Sequence, residues 1–143
     1  MTGPALPMPG RLRAALAFAA LHALLNGVFG VFARQQIDKQ RGGGEQPFSI
    51  LYGLEYLSYA FAAGLLAAGI AVLLGYGWGR WALLTFEVLS ALDGLVIPAG
   101  GIAASIGLAL AGLVGRALLH AETRAWFAAK AAQRRSPIPR AAN

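Results

Sequence analysis

The stretch LRAALAFAALHALLNGVFGVFA, residues 12–33, decides the fold class. It holds no acid, and its one cation, Arg13, stands at its entrance. A helix of this length crosses the roughly 30 Å hydrocarbon core of a bilayer. Outward from it, residues 48–75 form a second apolar run in which Glu55 is the one charged side chain. Residues of about 80–97 and 101–119 form a third and a fourth, both near the minimum length for a crossing. Pro98-Ala99-Gly100-Gly101 lies between them, and Pro with paired Gly ends one helix and lets the next begin, so these two read as a tight hairpin.

Composition agrees with a membrane setting. Of the 143 residues, 57 % are hydrophobic and 13 % charged. With glycine counted, the apolar share is roughly two-thirds, where a soluble domain has about 45–50 %. The length allows one domain. The predicted fold is all-α: a polytopic membrane protein, a bundle of four transmembrane helices with a C-terminal interfacial helix. An outer loop over 34–47, with its Gly42-Gly43-Gly44 run, and a basic tail over 120–143 complete the single domain of residues 1–143. The apolar run after Arg11 and Arg13 exceeds the ~7–15 residues of a secretory signal core, so it reads as a retained first span.

The net charge of +6 follows this topology. With the N-terminus inside, Arg11, Arg13, Arg80, Arg116, Arg124, Lys130, Arg134, Arg135 and Arg140 fall on the inner side, against Arg34, Lys39 and Arg41 outside. Cationic loops stay in the cytoplasm, so both termini are expected there, in the cytoplasmic (inner) membrane. Trp78, Arg80, Trp81, Arg124 and Trp126 are the expected lipid-interface residues, since aromatic and basic side chains settle at headgroup level. A soluble nucleic-acid binder is excluded, because the cations follow the membrane ends and not a groove-sized face.

Lipid provides no hydrophobic force between helices, so small residues that let backbones approach carry the packing. Ala15, Ala19, Ala23 and Gly27, then Ala63, Ala67, Ala71 and Gly75, then Ala103, Gly107, Ala111 and Gly115 repeat at every fourth position. These faces suit internal packing, or contact with other membrane proteins or a second copy.

An ionisable group in hydrocarbon costs about 2.5–3.5 kcal/mol or more unless it faces protein or water. His22, Asn26, Glu55, Glu87 and Asp93 are therefore the candidate in-membrane polar site. His22 and Asn26 share one helix face. Tyr52, Glu55, Tyr56 and Tyr59 form an i, i+3, i+4, i+7 stripe; Arg80, Glu87, Ser90 and Gly94 share a face of the third span. By depth, Glu55 and Asp93 can meet or share Arg34, and Glu87 is within reach of Arg116 or His22. Three readings fit: interhelical hydrogen bonding, an ion or proton pathway through in-span carboxylates, and a metal site of His22 with Glu55 and Glu87. The last lacks the Glu-x-x-His spacing of bundle metal sites. With no Cys, thiolate ligands and thiol catalysis are excluded. No phosphate-binding loop, His-Glu-x-x-His or nucleophile elbow occurs. No cofactor and no enzymatic activity are expected.

Gly75-Tyr76-Gly77-Trp78-Gly79-Arg80-Trp81-Ala82 resembles the segment that introduces the third span in small, uncharacterised four-span prokaryotic integral membrane proteins. Ala121-Glu122-Thr123-Arg124-Ala125-Trp126-Phe127 is similar to their Pro-Glu-Val-Arg-Ala-Tyr-Phe-like ending, with Ala121 where the Pro stands. The resemblance covers spans two to four and implies a four-span bundle with no activity to transfer. Small proton-coupled drug exporters also have four spans, but theirs is a pattern with an essential acid in the first, where this chain has none. The expectation is a non-enzymatic interaction or accessory subunit of a larger membrane assembly; the alternative is a small proton- or cation-coupled transporter or channel.

Overall fold

A computed structural model describes residues 7–96 and 101–135, with side chains at 94–96 and 101–104 left aside. Five helices and no strand are found among them: α1 Gly10–Gly42, α2 Ser49–Leu73, α3 Gly77–Val96, α4 Gly101–Leu119 and α5 Ala121–Arg135. The expected turn through Pro98, Ala99 and Gly100, the side chain of Ala103, and the tail with Pro137, Pro139 and Arg140 lie outside the described residues.

Helix α1 starts after Pro9, whose carbonyl accepts from the N–H groups of Leu12 and Arg13 at 3.0 and 3.1 Å. It does not stop at Ala33. The expected outer loop over 34–47 is helical as far as Gly42, so the connection to α2 is confined to residues 43–48. Two features carry the helix onward: Ile37 is fully buried, and Arg34 donates to Asp38 one turn later at 3.3 Å. The chain reverses at Gly44, where φ is +77°, a conformation glycine adopts without steric cost.

Helix α2 ends in a Schellman motif. Tyr76 N–H donates to Ala71 O at 2.9 Å and Gly75 N–H to Val72 O at 2.8 Å, with Gly75 at φ +75°. A turn this short makes α3 run back along α2. The helices close a ring in which α1 meets α2 and α4, and α3 meets α2 and α4.

The apolar core occupies one end of the ring. Leu12, Ala15 and Ala19 of α1, Leu65 and Val72 of α2, Leu83 of α3, and Val114 and Leu118 of α4 meet Trp126 and Phe127 of α5 there. Helix α5 bends 56° away from the line of α4 and tucks under the bundle, where Thr123 Oγ1 donates to Ala117 O at 2.8 Å. Trp126 is consequently 6 % exposed, with its ring edge-on to Phe127 at 5.0 Å between centroids. It is a core residue and not a lipid-interface one. Trp78 and Trp81 are exposed, with the Arg80 guanidinium 4.9 Å from the Trp81 ring centroid, and Arg124 is exposed.

The small-residue rows are packed in part. Ala15, Ala19 and Ala23 are buried, and so are Ala71 and Gly75 of the second row and Ala111 and Gly115 of the third, but Ala63 and Ala67 of α2 face outward. The α2 residues that pack are Glu55, Ser58, Leu65, Ala68, Ala71 and Val72, and Leu65, Ala68 and Val72 lie on the side of the helix opposite Ala63 and Ala67. Close approach depends on other glycines as well. A Cβ on Gly64 would run into the Phe86 ring, and one on Gly30 would fall 2.8 Å from Tyr59 Cε1.

The outside of the bundle is apolar, with Leu24, Val28, Phe32, Leu66, Ile70 and Leu73 all more than half exposed. Such a surface suits lipid and not water. By length and apolarity α1 and α2 each qualify to cross a membrane, and residues 105–119 of α4 with α5 qualify as a bent pair, giving two spans or three among the described residues. This is fewer than the four expected from the sequence. Within the 20 residues of α3 stand Arg80, Glu87 and Asp93, and α4 has 19 residues. The helical, apolar architecture is compatible with a membrane protein.

Candidate functional site

Midway along the ring the packing becomes polar. His22 and Asn26 project from α1 and Glu87 and Ser90 from α3, each pair separated by about one helical turn, so the two pairs stack at one level. His22 Nδ1 stands 2.7 Å from Glu87 Oε2. The other ring nitrogen, Nε2, is 3.2 Å from Ser90 Oγ. Asn26 Nδ2 donates to the His22 carbonyl and to Ser90 Oγ, both at 3.0 Å, while Asn26 Oδ1 lies 3.2 Å from the same hydroxyl. His22 is 5 % exposed and Glu87 is fully buried. The Glu87 oxygen that faces away from His22, Oε1, is buried without a hydrogen-bond partner.

The network satisfies the imidazole in both of its protonation states. When the ring is neutral, Nδ1–H donates to the Glu87 carboxylate and the Ser90 hydroxyl donates to Nε2. When Nε2 also carries a proton it donates to Ser90 Oγ, whose own proton turns to Asn26 Oδ1. One hydroxyl rotation converts one set into the other. Neither ring nitrogen loses its partner between the two sets, and orphaning a buried group ordinarily costs about 1–3 kcal/mol.

Of the partners open to Glu87, His22 takes the place, and Arg116 is exposed and forms no ion pair with it. Arg34 pairs with Glu55, Nη1 to Oε1 3.6 Å, near the bundle end away from α5, and this leaves Glu55 remote from the His22–Glu87 pair. The ligand set His22, Glu55 and Glu87 is therefore not assembled. Asp93 joins neither pair; it is half-buried and lines a cavity that also touches His22, Asn26 and Ser90. Of the Tyr52–Tyr59 stripe, Tyr52 accepts from Arg41 at 2.9 Å and Tyr59 packs on Gly30, while Tyr56 points outward.

Ser90 belongs to the network and Ser58 lines the cavity next to it, and neither was among the candidate residues. Serine carries no desolvation alarm comparable to a charge. Their positions were the available signal: each lies three residues beyond a buried glutamate, on the same face. Compared with known protein families, curated proteins and solved structures, the chain matches none.

Proposed function

We propose that the chain is a four-span bundle of the cytoplasmic membrane, both termini inside, that moves protons or a proton-coupled solute through its interior. The observation that carries this reading is the His22–Glu87–Ser90–Asn26 network, held between apolar helices, in which both imidazole nitrogens keep a partner whether or not the ring is charged. Ionisable groups are expensive inside a membrane and mark ion or proton paths there. The distribution of Arg and Lys supports the orientation, and the likeness of residues 75–82 to small four-span prokaryotic membrane proteins supports the span count.

Proteoliposomes loaded with a pH-sensitive dye test it. A proton flux is expected from the intact protein, with strong loss in Glu87→Gln and Ser90→Ala. No flux above empty vesicles, or unchanged flux in both variants, sinks the reading.

A second reading, a non-enzymatic accessory subunit of a larger membrane assembly, draws on a different feature. Ala20, Ala23, Gly27 and Val28 of α1 and Tyr59 and Ala62 of α2 border an apolar groove of about 680 Å³ along the outside of the bundle. Small residues at such a face favour helix contact in lipid. Affinity purification from native membranes separates the readings: a stoichiometric membrane partner supports the subunit, and recovery of the chain alone counts against it.

A further inference from the structure

Next to the proton network lies a cavity of about 390 Å³, within the ~300–1,000 Å³ of sites that take drug-sized molecules. Its wall combines two chemistries: His22, Asn26, Ser58, Ser90 and Asp93 are polar lining residues, and Leu25, Phe29, Phe32, Ile106 and Leu110 are apolar ones. Gly107 of α4 also lines it, and a Cβ there would come into ordinary contact with His22 Nε2 at 3.8 Å. Leu25, Phe29, Phe32 and Ile106 are 40 % to 57 % exposed, so the cavity opens sideways between α1 and α4, through an apolar mouth.

The charges within it select the occupant. His22 is engaged by Glu87, whereas Asp93 has no ion-pair partner among the described residues. A carboxylate in a cavity that Phe29 and Phe32 also line attracts a cation by charge, and a ring face within about 6 Å of that cation adds its quadrupole. A hard metal ion needs six or more oxygen ligands in the case of calcium, and an octahedral shell in the case of magnesium; these apolar walls do not supply them. A neutral acyl chain would fill the apolar part and leave Asp93 unpaired. A molecule with one delocalised positive charge and an apolar body satisfies both sides, and it partitions into lipid from which the lateral mouth is reached.

We propose that this cavity binds a hydrophobic organic cation, its charge against Asp93 and its apolar body among Phe29, Phe32, Ile106 and Leu110. This names the substrate class of the proton-handling site and rests on that reading for transport, while binding is measured without it.

The test is equilibrium binding of radiolabelled tetraphenylphosphonium to the full chain in zwitterionic lipid nanodiscs, with tetraphenylborate as the ion of like shape and opposite charge. Saturable binding of the phosphonium and none of the borate is expected. Asp93→Asn weakens phosphonium binding by about tenfold, as loss of a half-buried charge partner does. Phe32→Leu, a change at the exposed rim that leaves the core alone, weakens it severalfold and keeps the proposal testable if Asp93→Asn does not fold. No saturable binding, equal binding of the two ions, or unchanged affinity in both Asp93→Asn and Phe32→Leu overturns the proposal. Phosphonium binding without proton flux overturns the proton reading alone; proton flux without phosphonium binding overturns this one alone.

Discussion

His22 and Glu87, 65 positions apart in the chain, are joined Nδ1 to Oε2 at 2.7 Å across the interior of the ring, from α1 to α3. Each is buried, so each is the other's main compensation for the loss of water. Removing one leaves the other with nothing of opposite character. His22→Ala and Glu87→Ala are each expected to destabilise the bundle by about 1–3 kcal/mol, and the double variant by clearly less than the sum. Unfolding by a denaturing detergent in mixed micelles reads the cycle; strict additivity would mean that the two side chains do not depend on each other.

A second prediction concerns the α2–α3 contact. The backbone of Gly64 lies against the Phe86 ring with no room for a Cβ. Gly64→Val is expected to cost about 1–3 kcal/mol, the usual penalty of overfilling a packed contact. Gly53 has open space around its position on the same helix, so Gly53→Ala is expected to be neutral or to stabilise by up to ~1 kcal/mol through helix propensity. Thermal denaturation in detergent compares them. Equal melting temperatures for Gly64→Val and the parent chain would contradict the close approach.

These two contacts differ in how far they were legible from the residues. The cost of polar groups in lipid marks His22, Asn26, Glu55 and Glu87 as facing protein, and helical spacing sets their level. It does not set helix rotation. For that reason His22 and Arg116 were equivalent partners for Glu87 until the ring of helices was closed, and the Ala63–Ala67 row was credited with packing that Leu65 and Ala68 perform. The segment after Ala33 was misjudged for a different reason. Its charges and triple glycine resemble a loop, while Ile37 and the Arg34–Asp38 spacing that extend the helix are weak signals beside them. Trp126 among basic residues has the composition of a membrane-surface helix, and only the 56° bend after α4 turns its ring into the core.

That burial gives a third prediction. Trp126→Ala empties a core position between α5 and the rest of the bundle, and about 3–5 kcal/mol of stability is expected to go with it. Trp78→Ala, at a position 61 % exposed, is expected to leave stability within about 0.5 kcal/mol. Tryptophan fluorescence distinguishes the two further: a brominated lipid should quench Trp78 strongly and Trp126 weakly. Similar quenching of both would place α5 at the lipid surface.

The fourth prediction tests what holds α5 in its docked position. Carbonyls at the end of α2 have no partner within their own helix. Arg134 donates to two carbonyls there, Nη1 to Leu74 O at 3.1 Å and Nη2 to Gly75 O at 2.5 Å, with its guanidinium 4.9 Å from the Tyr76 ring centroid. A planar fork reaches both oxygens at once, which an ammonium does not. Arg134→Ala is expected to speed amide hydrogen exchange throughout α5 severalfold while α1 and α2 exchange as before. Arg134→Lys should recover only part of the protection, since Lys keeps the charge near the helix C-terminus and loses the second bond and the stacking on Tyr76. If Lys restored protection in full, attraction between charge and helix dipole would be the whole of the interaction. If Ala changed nothing, Trp126 and Phe127 would suffice to hold α5 under the bundle.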